Sequence, residues 1–158
     1  MEEKLVINYQ RFSSPQQMSD QDRELVAAAT EALKGSYAPY SNFHVGAAVR
    51  LKNGKIVKGA NQENAAYPSG LCAERTAMFA AKAQYPEEAQ VSIAITSTYA
   101  DGSKPGVPAS PCGACRQVMA EYQKIAGENM SIILVGGNYT LKFEKVDDLL
   151  PFIFTSLD

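Results

Sequence analysis

The chain holds only three cysteines, and their placing constrains the fold more than any other feature. They fall in two short segments, Cys72-Ala73-Glu74-Arg75 and Pro111-Cys112-Gly113-Ala114-Cys115. Each segment is typical of a helix start, where free backbone N–H groups and the helix dipole favour thiolate over thiol. Cys112 and Cys115 are three positions apart and therefore share a helical face. We expect the fold to bring two helix starts together around one site of three thiolates.

Three converging thiolates are a donor set that suits zinc. Glu74 lies two residues after Cys72, near enough to share the site but poorly placed to be a fourth ligand. Three protein ligands beside a free carboxylate indicate a catalytic metal centre, because the open position can hold a water molecule that the carboxylate deprotonates. Two other interpretations remain: a thioredoxin-like redox pair of Cys112 and Cys115, and a structural zinc site closed by His44, the sole histidine.

Length and composition point to one soluble globular domain, since the 158 residues are 46% hydrophobic and 20% charged. We expect this domain to span residues 19–158, with residues 1–18 forming an N-terminal arm or extra strand. A net charge of −2 without a basic cluster argues against polymeric nucleic acid as a partner. The start is unlike a signal peptide, and apolar runs such as 132–135 are too short to span a membrane. We therefore expect no membrane partner and a cytoplasmic location.

Hydrophobic periodicity and turn residues predict alternating helices and strands. Asn53-Gly54 is a strong hairpin signal, Ser110 and Pro111 fit the cap and first position of a helix, and Gly127 fits its end. The predicted helices span 19–35, 72–84 and 110–127, and a short helix begins at Asp147. The predicted strands span 45–51, 55–59, 91–96, 131–135 and 139–146. Residues 5–12 are predicted to form a weak strand or an extended arm. This order predicts an α/β fold, a three-layer sandwich with a mixed β-sheet.

Longer motifs surround the cysteines. They are Ser41-Asn42-Phe43, Val45-Gly46-Ala47-Ala48, Asn61-Gln62-Glu63-Asn64-Ala65, the stretch from Tyr67 to Ala77, and the stretch from Ser110 to Val118. A Cys-x-Glu segment followed by Pro-Cys-x-x-Cys is the three-cysteine form of the zinc deaminase signature. These motifs follow one another in the same order in a known family. Over about residues 20–154 the chain closely resembles cytidine deaminases of the small homotetrameric three-cysteine zinc class.

The resemblance implies an enzyme that hydrolyses cytidine and deoxycytidine to uridine and deoxyuridine plus ammonia, as in pyrimidine salvage. It implies zinc held by Cys72, Cys112 and Cys115. Glu74 would carry protons from water to the pyrimidine and then to the leaving amine. Arg75 would donate hydrogen bonds to ligand sulfurs, which reduces the electron density that they place on the metal.

The resemblance also implies a nucleoside-binding set and a homotetramer. Substrate contacts are expected from Phe43, Asn61, Glu63, Ala65, Ala73, Ser110 and Phe154. In the homotetramer Phe154 would close the pocket of a neighbouring subunit. His44 falls at a position that the family fills variably, which weakens its interpretation as a metal ligand.

Separate roles within this set follow from the same resemblance. Asn61 and Glu63 would hold a ribose hydroxyl. Phe43 would pack against the nucleoside, the backbone of Ala65 would face the base, and the Ser110 carbonyl would lie near the departing amine. Two rival functions stay open, a blasticidin-type deaminase on the same fold and a non-catalytic zinc-stabilised binding module. Asn61 and Glu63 suit a ribose, which argues against the blasticidin-type deaminase. In the binding module Glu74 would have no catalytic role.

Overall fold

The computed structural model describes residues 1–157. Its strands are Gln10–Phe12 (β1), Phe43–Leu51 (β2), Ile56–Ala60 (β3), Gln90–Tyr99 (β4), Ser131–Val135 (β5) and Thr140–Phe143 (β6). Its helices are Asp20–Ala32 (α1), Ala73–Gln84 (α2) and Gly113–Ala126 (α3), and none among the described residues is long and apolar enough to cross a bilayer. The strands form one sheet in the order β1-β6-β5-β4-β2-β3, in which β4 and β5 are parallel and the other neighbours antiparallel.

Helices cover both faces of this sheet, because successive side chains along each central strand point to opposite sides. One buried cluster joins α1 to the first face; its members include Leu25, Ala29, Ala48, Ala94 and Ile133. A larger cluster joins α2 and α3 to the second face; its members include Ala47, Met78, Ile93, Ile95, Met119 and Ile132. The predicted three-layer α/β sandwich with a mixed sheet is confirmed.

The strand directions bring the starts of α2 and α3 to the same edge of the sheet. β3 and β4 are both antiparallel to β2, so they run the same way. α2 follows β3 along the chain and α3 follows β4, so both helices begin beyond the carboxyl ends of parallel-running strands. Such an edge is where α/β folds place their functional residues.

Gly59 allows α2 to lie directly on β3. A Cβ atom at this position would sit 2.4 Å from the backbone nitrogen of Ala77 and 2.8 Å from its Cα. Both contacts are with helix backbone, which cannot move aside without shifting α2. At the other end of the second layer, Gly127 ends α3 in the left-handed conformation, with φ of 66°, as predicted for its C-terminal stop.

The start of α3 corrects one prediction. Cys112, not Ser110, is the N-cap residue, with extended φ and ψ of −67° and 167°, and the helix begins at Gly113. Pro111 therefore precedes the helix rather than occupying its first position. The carbonyl of Cys112 accepts the first helical bond from Arg116, at 3.0 Å. Arg116 also donates from Nε to the Pro111 carbonyl, at 2.9 Å.

Several element ends differ from the predicted ranges. In the N-terminal arm only Gln10–Phe12 forms a strand, which pairs with β6 at the edge of the sheet. β4 extends to Tyr99 because its last residue pairs with Phe43 of β2. β6 ends at Phe143, and the predicted helix from Asp147 is one 3-10 turn, Val146–Asp148.

Candidate metal centre and active site

Two helix starts bring the three cysteine sulfurs together. Cys72 is the N-cap of α2 and Cys112 is the N-cap of α3, while Cys115 lies buried in the first turn of α3. The three sulfurs all lie within 4.8 Å of one another, and Cys72 Sγ is 3.8 Å from Cys112 Sγ. The spacing is far longer than a disulfide bond, and all three thiols are free.

This donor set fits zinc. Tetrahedral coordination with zinc–sulfur distances of about 2.3 Å places two ligand sulfurs about 3.8 Å apart, which is the distance between Cys72 and Cys112. Within residues 1–157, the group of side chains able to hold a metal contains the three cysteines alone. His44 is not among them, and its Nδ1 instead lies 2.9 Å from the Ser36 hydroxyl. The closed four-ligand interpretation therefore has no support from the geometry.

Cys72 is the sulfur that loses its proton readily, as a metal ligand must. The pKa of Cys72 falls to about 5, first because the Cys115 thiol donates a hydrogen bond to its sulfur and then because Arg75 and Cys112 do the same. The pKa of Cys115 rises in turn, since its proton is held against Cys72 and the thiol is buried close to Glu74. The Cys72 thiolate is thus stabilised by hydrogen bonds from neighbouring thiols. A divalent cation bound here would displace those thiol protons.

Arg75 lies beside this cluster. Its Nη2 is 3.5 Å from Cys72 Sγ, and the hydrogen bond to that sulfur raises the pKa of the guanidinium. The contact is the one that the sequence predicts for this residue. A fixed positive charge here offsets part of the negative charge that three thiolates build up around a metal.

Glu74 lies in the first turn of α2, directly after Ala73, and only 6% of the residue is exposed. Burial raises the pKa of its carboxyl, and the negative charge on Cys72 raises it further. A raised pKa makes this carboxyl a better proton acceptor than an exposed glutamate, which suits it to general acid–base catalysis.

A cavity of about 450 Å³ opens above Cys72 and Arg75. Two loops form its wall, and Gln62 pairs with Tyr37 of the first loop and with Leu71 of its own loop. The first loop precedes β2, and the second connects β3 to α2. The residues lining the cavity are Tyr40, Ser41, Asn61, Gln62, Glu63, Asn64, Tyr67, Gly70, Leu71, Cys72 and Arg75.

Glu63 reaches this cavity from the second loop. Its Oε1 accepts backbone N–H bonds from Tyr40 at 2.9 Å and Ser41 at 3.1 Å. The Ser41 hydroxyl, followed by these two N–H groups, lowers the pKa of the Glu63 carboxyl. The group is therefore an ionised acceptor whose second oxygen can bind a donor from a ligand.

The predicted site residues divide into three groups by position. Asn61, Glu63, Cys72 and Arg75 line the cavity, and Ala73 and Glu74 are buried next to its metal end. The remaining predicted contacts, Phe43, Ala65, Ser110 and Phe154, do not line it. Phe43 instead packs edge-on against Tyr99, with ring centroids 5.9 Å apart, and Phe154 is 63% exposed.

Seven of the eleven residues that line the cavity were given no functional role by the sequence analysis, and three of them, Tyr40, Ser41 and Tyr67, stand out. Tyr40 and Tyr67 contact each other edge-on with ring centroids 6.5 Å apart, and Ser41 holds Glu63. Two tyrosines and a serine in loops rich in proline and glycine are a usable sign of a binding surface, but the sequence analysis assigned them no contact with a ligand. Exposed aromatic rings at a cavity mouth suit a planar ligand.

A three-layer α/β fold with a three-cysteine metal centre and a buried glutamate beside it defines the zinc-dependent deaminases as the class of protein. Residues 19–127 match the family model described as the cytidine and deoxycytidylate deaminase zinc-binding region. The chain belongs to this family.

Individual relatives agree with the family model. A cytidine deaminase of Halalkalibacterium halodurans is 44% identical over 138 residues, covering 87% of this chain and 97% of that protein. A blasticidin-S deaminase of Bacillus cereus is 30% identical over 139 residues, covering 87% of this chain and 95% of that protein. The crystal structure of cytidine deaminase from Burkholderia pseudomallei matches with a TM-score of 0.71 at 38% identity, covering 87% of this chain and 100% of that chain.

The resemblance to cytidine deaminases stated from the sequence is therefore confirmed. The zinc prediction is confirmed with it, since the matching region is a zinc-binding one and the three sulfurs have the spacing that zinc requires.

Proposed function

We propose that the protein is a hydrolase that deaminates cytidine and deoxycytidine to uridine and deoxyuridine, releasing ammonia, in pyrimidine salvage. One observation supports this above all. The buried carboxyl of Glu74 adjoins three cysteine sulfurs spaced for zinc, at the base of a cavity large enough for a nucleoside. Residues 19–158 form the deaminase domain, and residues 1–18 form an arm that adds β1 to the sheet.

Zinc bound by Cys72, Cys112 and Cys115 supplies the Lewis acidity that makes water a nucleophile near neutral pH. Glu74 accepts a proton from that water and delivers it to N3 of the pyrimidine, which makes C4 more electrophilic. Hydroxide adds to C4, and Glu74 then takes the proton that remains on the new C4 hydroxyl and transfers it to the exocyclic amine. The C4–N bond breaks, ammonia leaves, and one water has been consumed for each uridine formed.

Asn61 and Glu63 are suited to bind one sugar hydroxyl between them. A hydroxyl has one proton to donate and lone pairs to accept with. Glu63 offers a carboxylate oxygen, and Asn61 offers an amide N–H, from neighbouring positions on the cavity wall. The 3′-hydroxyl is the group that the family resemblance assigns to this pair, and both ribose and deoxyribose possess it. Both nucleosides should therefore be substrates.

The other predicted contacts complete the proposal. Phe43 and the backbone of Ala65 and Ala73 would contact the nucleoside, and the Ser110 carbonyl would lie near the departing amine. The protein would act as a cytoplasmic homotetramer, in keeping with the reduced thiols that a zinc–cysteine centre needs.

The direct test is an ultraviolet assay of cytidine and deoxycytidine with zinc-loaded protein. We expect both nucleosides to be deaminated, and the reaction to stop after chelation and to resume when zinc is added back. Blasticidin S serves as the comparison substrate, and we expect it to react much more slowly because it lacks the ribose that Asn61 and Glu63 suit. Folded, zinc-loaded protein that leaves both nucleosides intact would contradict the proposal.

A further inference from the structure

The side-chain amide of Asn61 has its orientation fixed by the backbone of β2. Its Nδ2 lies 2.9 Å from the Phe43 carbonyl, which can only accept a hydrogen bond. Its Oδ1 lies 2.9 Å from the Val45 N–H, which can only donate. The amide therefore cannot be flipped, and one of its two N–H groups remains for a ligand.

This fixed amide sets the direction of a hydrogen-bond chain that reaches His44. The Ser36 hydroxyl also contacts Asn61 Oδ1, and because that oxygen only accepts, Ser36 must give it its single proton. Ser36 Oγ can then only accept from His44 Nδ1, which lies 2.9 Å away. His44 must therefore carry a proton on Nδ1, and its neutral form has a bare Nε2.

We propose that His44 is a positioning residue for the sugar site: it holds the Ser36 hydroxyl in the orientation that fixes Asn61 and strengthens the free Asn61 N–H as a donor. The inference rests on the proposed function, in which that N–H binds the 3′-hydroxyl. Each donor that Asn61 Oδ1 accepts from polarises the amide and makes its remaining N–H more acidic. Both the Nδ1–H tautomer and the imidazolium can serve, since each donates from Nδ1.

The tautomer is measurable directly, because His44 is the sole histidine and gives a single imidazole spectrum. We expect ¹⁵N–¹H correlation spectra of untagged, ¹⁵N-labelled protein, recorded with the imidazole neutral, to show Nδ1 protonated and Nε2 bare. In Ser36→Ala this preference should weaken or reverse. A neutral imidazole protonated on Nε2 in the unmodified protein would overturn the proposal. This result does not depend on the enzyme's activity, so it separates the hydrogen-bond chain from the proposed reaction.

Kinetics test the consequence for the substrate. We expect His44→Leu and Ser36→Ala each to raise KM for cytidine about fivefold, the size of one lost hydrogen bond, with kcat changed less than twofold. The double variant should be no worse than either single variant, because both break one chain. His44→Asn keeps a donor near the Nδ1 position and should restore most of the affinity.

The matched substrate is 3′-deoxycytidine, which lacks the hydroxyl in question. Its KM should be the same for the unmodified protein and for all these variants, and each variant should retain zinc and its melting temperature. Equal losses on both substrates, additive losses in the double variant, or no loss on cytidine would each overturn the positioning role. Failure of the unmodified protein to deaminate cytidine would instead contradict the proposed function, and the spectroscopic test of the chain would still stand.

Discussion

At the scale of single residues, Glu74 combines two influences that act in the same direction. Burial disfavours its charged form, and the thiolate of Cys72 repels a second negative charge. Both influences raise the pKa of the carboxyl, and neither needs a bound substrate. The same carboxyl lies outside the set of sulfur donors, which allows its chemistry to be changed without changing the metal site.

Replacing Glu74 by Gln should therefore lower kcat by about a thousandfold, a typical size for loss of a positioned acid–base group, while zinc content stays the same. Glutamine keeps the shape of the side chain but cannot carry the proton between water and pyrimidine. Turnover of cytidine and metal analysis of the purified variant check both parts. Glu87→Gln, an exposed change beyond α2, is the matched control and should leave both unaffected. Substantial activity in Glu74→Gln would rule out the proton-carrier role.

Residue chemistry explains why some of this site could be predicted from the sequence and some could not. Cysteine is rare in the chain and its spacing is local, so Cys112 and Cys115 identify one helical face without knowledge of the fold. The chain from His44 through Ser36 to Asn61 joins residues that are 8 and 25 positions apart. Which of them meet depends on the register of β2 and on the path of a loop, and neither is fixed by local pattern.

At the scale of secondary-structure elements, the metal centre depends on how closely α2 lies against β3. Cys72 belongs to α2, whereas the other two sulfurs belong to α3. Any displacement of α2 therefore changes the distance between Cys72 and its partners, and Gly59 is the position where such a displacement is easiest to impose.

Gly59→Ala should destabilise the fold by about 1–3 kcal/mol, the usual cost of an extra carbon in a packed interior, and should weaken zinc binding. The added Cβ meets the Ala77 backbone at 2.4 Å, so α2 must shift away from the sheet. Thermal unfolding and competition with a chelator measure the two effects. In the control, Gly35→Ala, the added Cβ meets only the Ala60 side chain at 3.9 Å, an ordinary contact. Equal melting temperatures for the two variants would contradict this account.

Elements with strong local patterns were predicted well, and their ends less well. Asn53-Gly54 gave the β2–β3 hairpin because few residues other than glycine adopt the positive φ that Gly54 has, at 89°. The start of α3 was predicted two residues early, because Ser110 and Pro111 match a capping pattern that in the fold is overridden by Cys112. β4 was predicted too short, because its last residues are strand only through pairing with β2.

At the scale of the whole molecule, the C-terminal tail holds an exposed aromatic ring on a fixed backbone. The Phe154 carbonyl accepts a hydrogen bond of 2.8 Å from Gln117 Nε2, and the Thr155 carbonyl accepts one from Lys124. These bonds attach the tail backbone to α3 while the Phe154 side chain stays 63% exposed. A fixed backbone with an exposed ring is suited to an interface between subunits.

We expect light scattering to give four times the 17.1 kDa chain mass, and Phe154→Ala to raise KM for cytidine several-fold. The physical reason is that the ring would cover the nucleoside in an adjoining subunit and shield it from water. Phe152→Ala removes a ring that is 98% exposed and should have a smaller effect, which makes it the matched control. A fully active monomer would exclude this assembly.

We expect the negative charge in the cavity to favour nucleosides over nucleotides as substrates. The family name leaves this choice open, because it covers both cytidine and deoxycytidylate deaminases. A 5′-phosphate would bring about two negative charges beside Glu63 and a zinc site that its three thiolates leave net negative, and Arg75 already bonds Cys72. A buried phosphate without a cationic partner costs several kcal/mol, so kcat/KM for cytidine 5′-monophosphate should be at least about a thousandfold below that for cytidine. Comparable values for the two would reveal a phosphate site and a nucleotide enzyme.

Cys72 and Cys112 are 40 positions apart, so the metal ties together two segments that an unfolded chain would hold far from each other. A ligand that binds only the folded protein stabilises it in proportion to the logarithm of its free concentration, by about 1.4 kcal/mol for each tenfold rise above the dissociation constant. The melting temperature of this protein is thus a measure of available zinc. A cell that lowers its free zinc lowers both the loaded fraction of the enzyme and its resistance to unfolding and proteolysis.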